Sequence, residues 1–370
     1  MLYSNTVRLI LESLGRSEEV EFYLKRFKST NSSNFCILIP DYDTLNELWE
    51  SFLFSIETLD KLELFAIIYV GGYESKNYFP KFQEHDFFYL TSHLDFLNKE
   101  IKKTIVFFDD NTFLKFYLNH QNQLPRRIHF VRGKGSIHDP NNQPYNQIQP
   151  LLIETITSYE KLHFKLYEVP DKVSENDIGI YAIASYLYQK VPDIHISITS
   201  SLMLLKELFT IKGSGTLLRK NSKIIHFKKQ EITQEIITKA KSIIETSFQK
   251  RLLPDRLKNI TDIIFDENFQ SLIVLEQMEF GFYLSKFAVS IESRGKGIAQ
   301  DLWNYLENQR LPLFWKTHIS NFIKKWYEKI SDGHTIVPNF PYVIFWKNIS
   351  YTTIPQIIEY LIQRGSDFYE

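Results

Sequence analysis

The chain has 370 residues with 43 basic and 44 acidic side chains, a formal net charge of −1. That length is too great for one ordinary domain, and the balanced charge excludes a global field drawing the chain to nucleic acid or a membrane surface. Cys36 is the only cysteine, which excludes an intrachain disulfide and a thiolate metal cluster and points to a reducing compartment, so the cytoplasm is expected. The start, MLYSNTVRLILESLGR, carries Glu12 and no long apolar core, so no secretory signal is expected, and apolar runs such as Leu64 to Val70 are too short to span a bilayer.

Thr6 to Phe27 reads as two short helices broken at Gly15. Phe35 to Ile39 reads as a strand ended by Pro40-Asp41, Leu45 to Leu62 as a helix, and Leu64 to Val70 as a buried strand stopped by Gly71-Gly72. Thr104 to Phe108 and Arg127 to Val131 are two more apolar strands, with a helix over Thr112 to Leu118 between them. This alternation predicts a largely parallel α/β sheet. Gly133-Lys134-Gly135 and Asp139 to Asn142 read as turns, Pro150 to Tyr159 and Asp177 to Gln189 as helices. His195 to Ile198 is a strand, Leu202 to Phe209 a helix, Thr216 to Leu218 a short strand, and Arg219 to Gln230 a domain junction.

The second part is organised as α+β. Ile232 to Phe248 is a helix capped by Thr233. Strands follow at Leu272 to Leu275 and Phe282 to Ser290. After the turn described next come a strand at Leu313 to Lys316, a helix at Phe322 to Ile330, a strand at Tyr342 to Trp346 and a helix at Pro355 to Arg364.

Between these elements lies the most informative stretch. Phe287, Ala288 and Val289 end a β-prone run. Arg294-Gly295-Lys296-Gly297-Ile298-Ala299 is a glycine turn, and Ile298, Leu302 and Leu306 then recur on one helix face. Glycines before a helix start leave backbone N–H groups and the positive end of the helix dipole facing one place, which suits a phosphate-bearing ligand.

The turn matches the R/Q-x-x-G-x-G/A signature of the GCN5-related acetyltransferases. Tyr283 to Val289, Leu302-Trp303, Leu313-Phe314-Trp315-Lys316, Asn321, Trp326-Tyr327, Ser331-Asp332-Gly333 and Val343 to Trp346 continue an ordered set. Together they resemble the acetyltransferase domain of N-acetylglutamate synthases, of the kind fused to an amino-acid kinase domain. Upstream, Ser197-Ile198-Thr199 and Leu205 to Arg219 resemble the end of the N-acetylglutamate kinase fold, and Tyr23 to Phe27 its N-terminal arm.

The resemblance implies a helical arm at residues 1–30, a reduced amino-acid-kinase-like (carbamate-kinase-like) αβα sandwich at 31–224 and a GNAT acetyltransferase domain at 225–370. A kinase of that family needs a lysine and paired glycines after its first strand to hold the phosphoryl group. Here that place reads Cys36-Ile37-Leu38-Ile39-Pro40-Asp41-Tyr42, where Asp41 would repel phosphate, so kinase activity is not expected.

For the second domain the resemblance implies acetyl transfer from acetyl-coenzyme A to the amine of L-glutamate, the first step of arginine biosynthesis. The Arg294 to Ala299 loop would hold the coenzyme phosphates, and a backbone N–H of Phe287, Ala288 or Val289 would meet the thioester oxygen. Tyr327 would protonate the departing thiolate, although a packed aromatic pair with Trp326 is an equal reading. Lys250, Tyr283, Leu284, Lys316 and Asn321 match positions that contact the acceptor. Lys316 stands where the family usually has arginine; it keeps the charge but loses the planar fork, which leaves another amino-acid acceptor open. Lys286 alternates with apolar neighbours and reads as pointing outward. His318 and His334 lack metal-ligand spacing, so no metal is expected. A homo-dimer or homo-tetramer through the kinase-like domain is implied by the resemblance, and a non-catalytic sensor or assembly protein remains the non-enzymatic alternative.

Overall fold

The computed structural model describes residues 10, 13, 15, 17–29, 34–72, 74–151, 153–156, 164–166, 173–191, 193–210, 213–294, 297–321 and 323–369. The chain divides into two compact units, Met1–Lys220 and Asn221–Glu370.

The first unit opens with helix α1 (Ser17–Lys28) and strand β1 (Asn34–Pro40), followed by α2 (Tyr42–Asn46), α3 (Trp49–Lys61) and β2 (Phe65–Gly71). The helix expected over Leu45 to Leu62 is thus two helices, because the chain turns at Leu48. Then come α4 (Phe79–Gln83), β3 (Phe88–Thr91), β4 (Thr104–Asp109), α5 (Phe113–His120) and β5 (Arg127–Val131). The remainder is β6 (Gln147–Ile148), β7 (Ile153–Ile156), β8 (Phe164–Leu166), α6 (Ile178–Lys190), β9 (His195–Thr199), α7 (Leu204–Phe209) and β10 (Thr216–Leu218). The eight strands of the main sheet run in the order β3-β4-β2-β1-β5-β9-β10-β6.

Alternation along β1 and β2 sends Cys36, Leu38, Ala66 and Ile68 to one face, under α1, α3 and α7. Ile37, Ile67 and Tyr69 go to the other, under α5 and α6. Burial on both faces explains the unbroken apolar runs, as parallel strands require. The expected helix over Pro150 to Tyr159 is corrected: its described part, β7, pairs antiparallel with β8. Two isoleucines and a threonine among four residues favour a pleated strand over a helix, where β-branched side chains lose rotamer freedom.

The second unit contains β11 (Ile224–Lys228), α8 (Gln234–Phe248), β12 (Asp262–Asp266), β13 (Ser271–Met278), β14 (Gly281–Val289) and α9 (Ile298–Asn308). It continues with β15 (Leu313–His318), α10 (Lys324–Ile330), β16 (Gly333–Ile336), β17 (Tyr342–Lys347) and α11 (Ile354–Arg364). Its seven strands are ordered β11-β12-β13-β14-β15-β17-β16. Residues 224–228, read from sequence within a junction, are the edge strand, paired antiparallel with β12. Leu284, Trp303, Trp315, Tyr327 and Phe345 form the core on the face under α9 and α10. On the opposite face, α8 packs on Val274 and Ala288, and α11 packs on Tyr283, Phe314 and Ile344.

Candidate active site

Two irregularities in the middle of the second sheet build the site. The first is a split. β14 and β15 run parallel but pair only at Phe282–Leu313 and Tyr283–Phe314. Beyond that point β14 stays on β13 as far as Val289, while β15 stays on β17 as far as His318. Each strand keeps its outer neighbour, so the two part and leave the inner edges of Leu284 to Val289 and Trp315 to His318 without a strand partner.

The second is a bulge. Val274 faces Lys286 and Leu275 faces Leu284, so Ser285 is one residue extra. An extra residue reverses the faces of everything beyond it. Lys286 therefore shares a face with Tyr283 rather than with Leu284, which overturns the outward position expected from simple alternation. It is 3% exposed, and its ammonium lies 2.6 Å from a carboxylate oxygen of Asp367. Burial pulls the Lys286 pKa down, and Asp367 opposes the shift.

Around Lys286 the α11 face gathers charge. Arg364 holds Glu276 through two nitrogens, at 2.8 Å and 2.7 Å, and its guanidinium lies 4.6 Å from the centre of the Tyr283 ring. Burial disfavours the Arg364 charge, but the hydrogen bonds to Glu276 outweigh it and its pKa rises. Arg256 reaches Asp367 at 3.4 Å. Burial would raise the Asp367 pKa, yet Lys286 and Arg364 hold it below the usual carboxylate value.

Lys316, on the other arm of the split, donates to the carbonyls of Gly365 at 2.5 Å and Leu361 at 3.3 Å. Its ammonium lies 4.8 Å from the Tyr342 ring centre. It makes no ion pair among the described residues, and burial lowers its pKa to about 8. Four cations (Arg256, Lys286, Lys316, Arg364) thus surround two carboxylates (Glu276, Asp367). An excess of positive charge in a desolvated place is costly unless an anion joins it.

The glycine turn lies beyond the C-terminal end of β14. Gly297 precedes α9 at φ 75°, and among the described residues no side chain caps the helix. A side chain there would cost strain in the left-handed region, and the first N–H groups of α9 need an outside acceptor. Arg294 donates to the Ser247 carbonyl at 2.7 Å, and Ser293 donates to the Gln270 side chain at 2.6 Å. The loop is thereby tied to the end of α8 and to the β12–β13 turn. Burial lowers the Arg294 pKa. Ile298 is buried and Ala299 half-buried, while Gly295 and Lys296 lie outside the described residues.

The other expected residues fall in separate places. Phe287 faces α9 and α10, with its ring 6.5 Å from Trp303 and 5.8 Å from Trp326. Tyr327 is on that same side, packed on Trp315 at 5.4 Å and Phe345 at 5.6 Å. Its hydroxyl bonds no described residue, and burial raises its pKa, so it stays protonated at neutral pH. Asn321 bonds Thr317 at 2.8 Å and accepts from the Ile323 N–H at 3.2 Å, shaping the turn into α10. Lys250 is exposed just past the left-handed cap of α8. Of the expected acceptor contacts, the structure therefore brings together Tyr283 and Lys316 on the α11 face. Leu284 and Asn321 are on the other face, and Lys250 is apart.

Sequence reasoning missed Glu276, Arg364 and Asp367, and misplaced Lys286. A lysine inside the apolar run Tyr283 to Val289 was the available signal.

In the first unit, Asp41 accepts from the N–H of Thr44 at 2.8 Å and from the N–H of Gly133 at 3.2 Å. This carboxylate fills the start of α2 at the end of β1, where a phosphate-binding turn would present its own N–H groups. The cavity beside it, 230 Å³, is lined mainly by apolar residues such as Ile39, Phe113, Phe130 and Ile183, together with Arg132.

The split sheet, the glycine helix start and the flanking helices are the features expected from the second unit's resemblance to the GCN5-related N-acetyltransferases. Residues 226–364 match the family model described as NAT, N-acetyltransferase, of N-acetylglutamate synthase. Among curated proteins, the chain is 26% identical over 243 residues to an acetylglutamate kinase of Xylella fastidiosa, covering 65% of this chain and 55% of that one. It is 27% identical over 234 residues to the mitochondrial N-acetylglutamate synthase of Danio rerio, covering 61% and 42%. With the Homo sapiens protein of that name it is 31% identical over 156 residues, covering 40% and 28%. The chain spans about half the length of the curated relatives it matches. Among solved structures, the N-acetylglutamate synthase of Neisseria gonorrhoeae complexed with coenzyme A and N-acetyl-glutamate aligns with a TM-score of 0.43 at 10% identity, over 90% of this chain and 98% of that one.

Among the described residues, no helix is long and apolar enough to cross a membrane.

Proposed function

We propose that the chain is an amino-acid N-acetyltransferase that moves the acetyl group of acetyl-coenzyme A to the α-amine of L-glutamate, the step that opens arginine biosynthesis. The observation that carries this reading is the split between β14 and β15, with Lys286 on one arm and Lys316 on the other. The coenzyme's phosphates go to the Arg294–Ala299 turn and the start of α9. Its thioester enters the split, where an unpaired backbone N–H among Phe287, Ala288 and Val289 polarises the carbonyl; one such donor is worth about 10²–10³ in rate.

The acceptor's carboxylates answer the excess positive charge on the α11 face, with Tyr283 as a wall; Lys250, exposed past α8, stands apart from that cluster and is not needed by this reading. Leu284 and Asn321 shape the opposite face. Acceptor and departing thiolate thus use opposite faces of the sheet, and Tyr327 is on the thiolate's face. A phenol kept neutral by burial is suited to donate a proton. Glu276 and Asp367, the carboxylates nearest the acceptor, are each held by a cation; in the related domains a water relay can carry off the ammonium proton, and this reading adopts it.

The chain's relatives include proteins named acetylglutamate kinase, but the Asp41 carboxylate at the start of α2 opposes phosphoryl binding. The first unit serves as a scaffold for a homo-dimer or homo-tetramer. The cytoplasm is the compartment this reading takes, on the single cysteine of the chain.

The test is thiol release from acetyl-coenzyme A by the purified full chain with a panel of amino acids. Glutamate is expected to be preferred. Preference for a neutral or basic acceptor would favour the second reading, motivated by Lys316, of another amino acid. Coenzyme binding with no turnover on any acceptor would leave a sensor.

A further inference from the structure

The segment after α11 returns across the lysine face. Gly365 turns it at φ 65°, ψ −154°, a conformation open essentially to glycine alone. The segment is then fastened along one side. The Leu253 N–H donates to the Asp367 carbonyl and the Tyr369 N–H to the Arg251 carbonyl, each at 3.0 Å. Leu252 and Phe368 form an isolated bridge, and the Phe368 ring lies 5.0 Å from Phe248.

This path delivers the Asp367 carboxylate into the cationic cluster. One oxygen is 2.6 Å from the Lys286 ammonium; the other is 3.4 Å from Nε of both Arg256 and Arg364. Among the described residues, Lys286 has no second carboxylate partner. The cation on one arm of the split is therefore already neutralised by the chain itself, whereas Lys316 on the other arm touches only carbonyls and rings and feels Asp367 from beyond ion-pair distance. A buried ammonium does not give up its counter-ion without another anion to replace it.

Resting on the acetyl-transfer reading above, we propose that Asp367 is a specificity-determining residue. Its carboxylate holds the place that one acceptor carboxylate takes, so an acceptor reaches Lys286 only by displacing it. An acceptor with two carboxylates can satisfy Lys316 and exchange with Asp367 at Lys286 together. A monocarboxylate satisfies Lys316 and leaves Asp367 docked. The exchange turns the Asp367 side chain out from the cluster; the segment's other ties, from Arg256 to the carbonyls of Arg364 and Ser366 and from Lys316 to that of Gly365, lie before Asp367 and do not involve its carboxylate.

The test uses the full chain and Asp367→Asn, with glutarate as a dicarboxylate that has no amine to react. Binding by calorimetry is expected to tighten about tenfold in Asp367→Asn, the penalty that an internal competitor docked about nine-tenths of the time imposes. The KM for L-glutamate falls in step, and coenzyme A binding is unchanged. Independently, a nitroxide on Tyr369→Cys, read with native Asp367 in place, is expected to gain mobility when glutarate is added; Cys36 is fully buried and does not compete for label. Unchanged or weaker glutarate binding in a folded Asp367→Asn protein, or a label that glutarate does not move, overturns the proposal and makes Asp367 a fixed counter-ion. If Asp367→Asn does not fold, the label experiment decides alone. Should no acceptor be acetylated, the proposed function fails, and glutarate binding and the label still decide the role of Asp367.

Discussion

Lys316 offers a direct test of how the acceptor's charge is read. Its ammonium makes no ion pair among the described residues, and burial brings its pKa to about 8, against about 10.4 for a free lysine. The depressed value means that the folded protein holds the neutral form too readily. Between about pH 8 and the unfolded value the unfolded chain binds more protons, so stability from this group rises with pH there, and below pH 8 the charged form is a standing cost.

An acceptor carboxylate relieves that cost, so ligand binding should raise the Lys316 pKa and take up a proton when the solution is above pH 8. If only the charged form binds, its fraction falls from roughly nine-tenths at pH 7 to one-tenth at pH 9, and apparent affinity falls about tenfold. The limit is set by the charge-assisted bond itself, about 1.5–3 kcal/mol. Glutarate is the suitable probe, because an amino acid's own amine titrates in the same range. Calorimetry from pH 7 to 9.5, repeated in two buffers of different ionisation enthalpy, reads both affinity and proton uptake. Lys316→Arg keeps the charge at every pH in this range and should abolish the alkaline limb. A flat profile in the native chain, or a limb that survives in Lys316→Arg, would refute the assignment.

Three further outcomes are expected. Tyr327→Phe should lower kcat about 10²-fold or more by loss of the proton donor. It should leave the melting temperature nearly unchanged, because the hydroxyl bonds no described residue; an unaltered kcat would make Tyr327 a packing residue. Gly297→Ala puts a side chain at φ 75° and should cost about 1–2 kcal/mol in denaturant unfolding, with a raised KM for acetyl-coenzyme A and an unchanged KM for the acceptor. Asp41→Ala removes the cap of α2 and the bond to Gly133; it should destabilise the chain by about 1 kcal/mol and create no ATP-dependent phosphorylation of N-acetylglutamate. Phosphorylation by the native chain would show that the first unit is a kinase after all.

Much of the fold is legible in local sequence. Unbroken apolar runs at Phe35 to Ile39 and Leu64 to Val70 mark a sheet buried on both faces, because only a strand covered on both sides dispenses with polar alternation. Gly297 before an amphipathic run marks the start of α9, because that backbone conformation favours glycine. The Pro40-Asp41 pair at the end of β1 is equally local, and in the structure Asp41 accepts from the N–H groups of Thr44 and Gly133.

The proposed acceptor site is not local. A period-two reading of β14 places Lys286 outward, and one extra residue at Ser285 turns it onto the buried face. Nothing in a single strand announces a bulge, since the extra residue exists only relative to the partner strand. The split between β14 and β15 likewise depends on where two strands stop pairing. Glu276 and Arg364 are 88 positions apart in the chain, and Lys286 and Asp367 are 81 apart; both pairs meet only when α11 packs on the sheet. Strand runs, a helix start that favours an anion and the residue types able to do the chemistry can all be read along the chain, because each depends on near neighbours. Which cations stand together, and which carboxylates already answer them, follows from packing, because charge in a desolvated site is governed by the groups that the fold assembles around it.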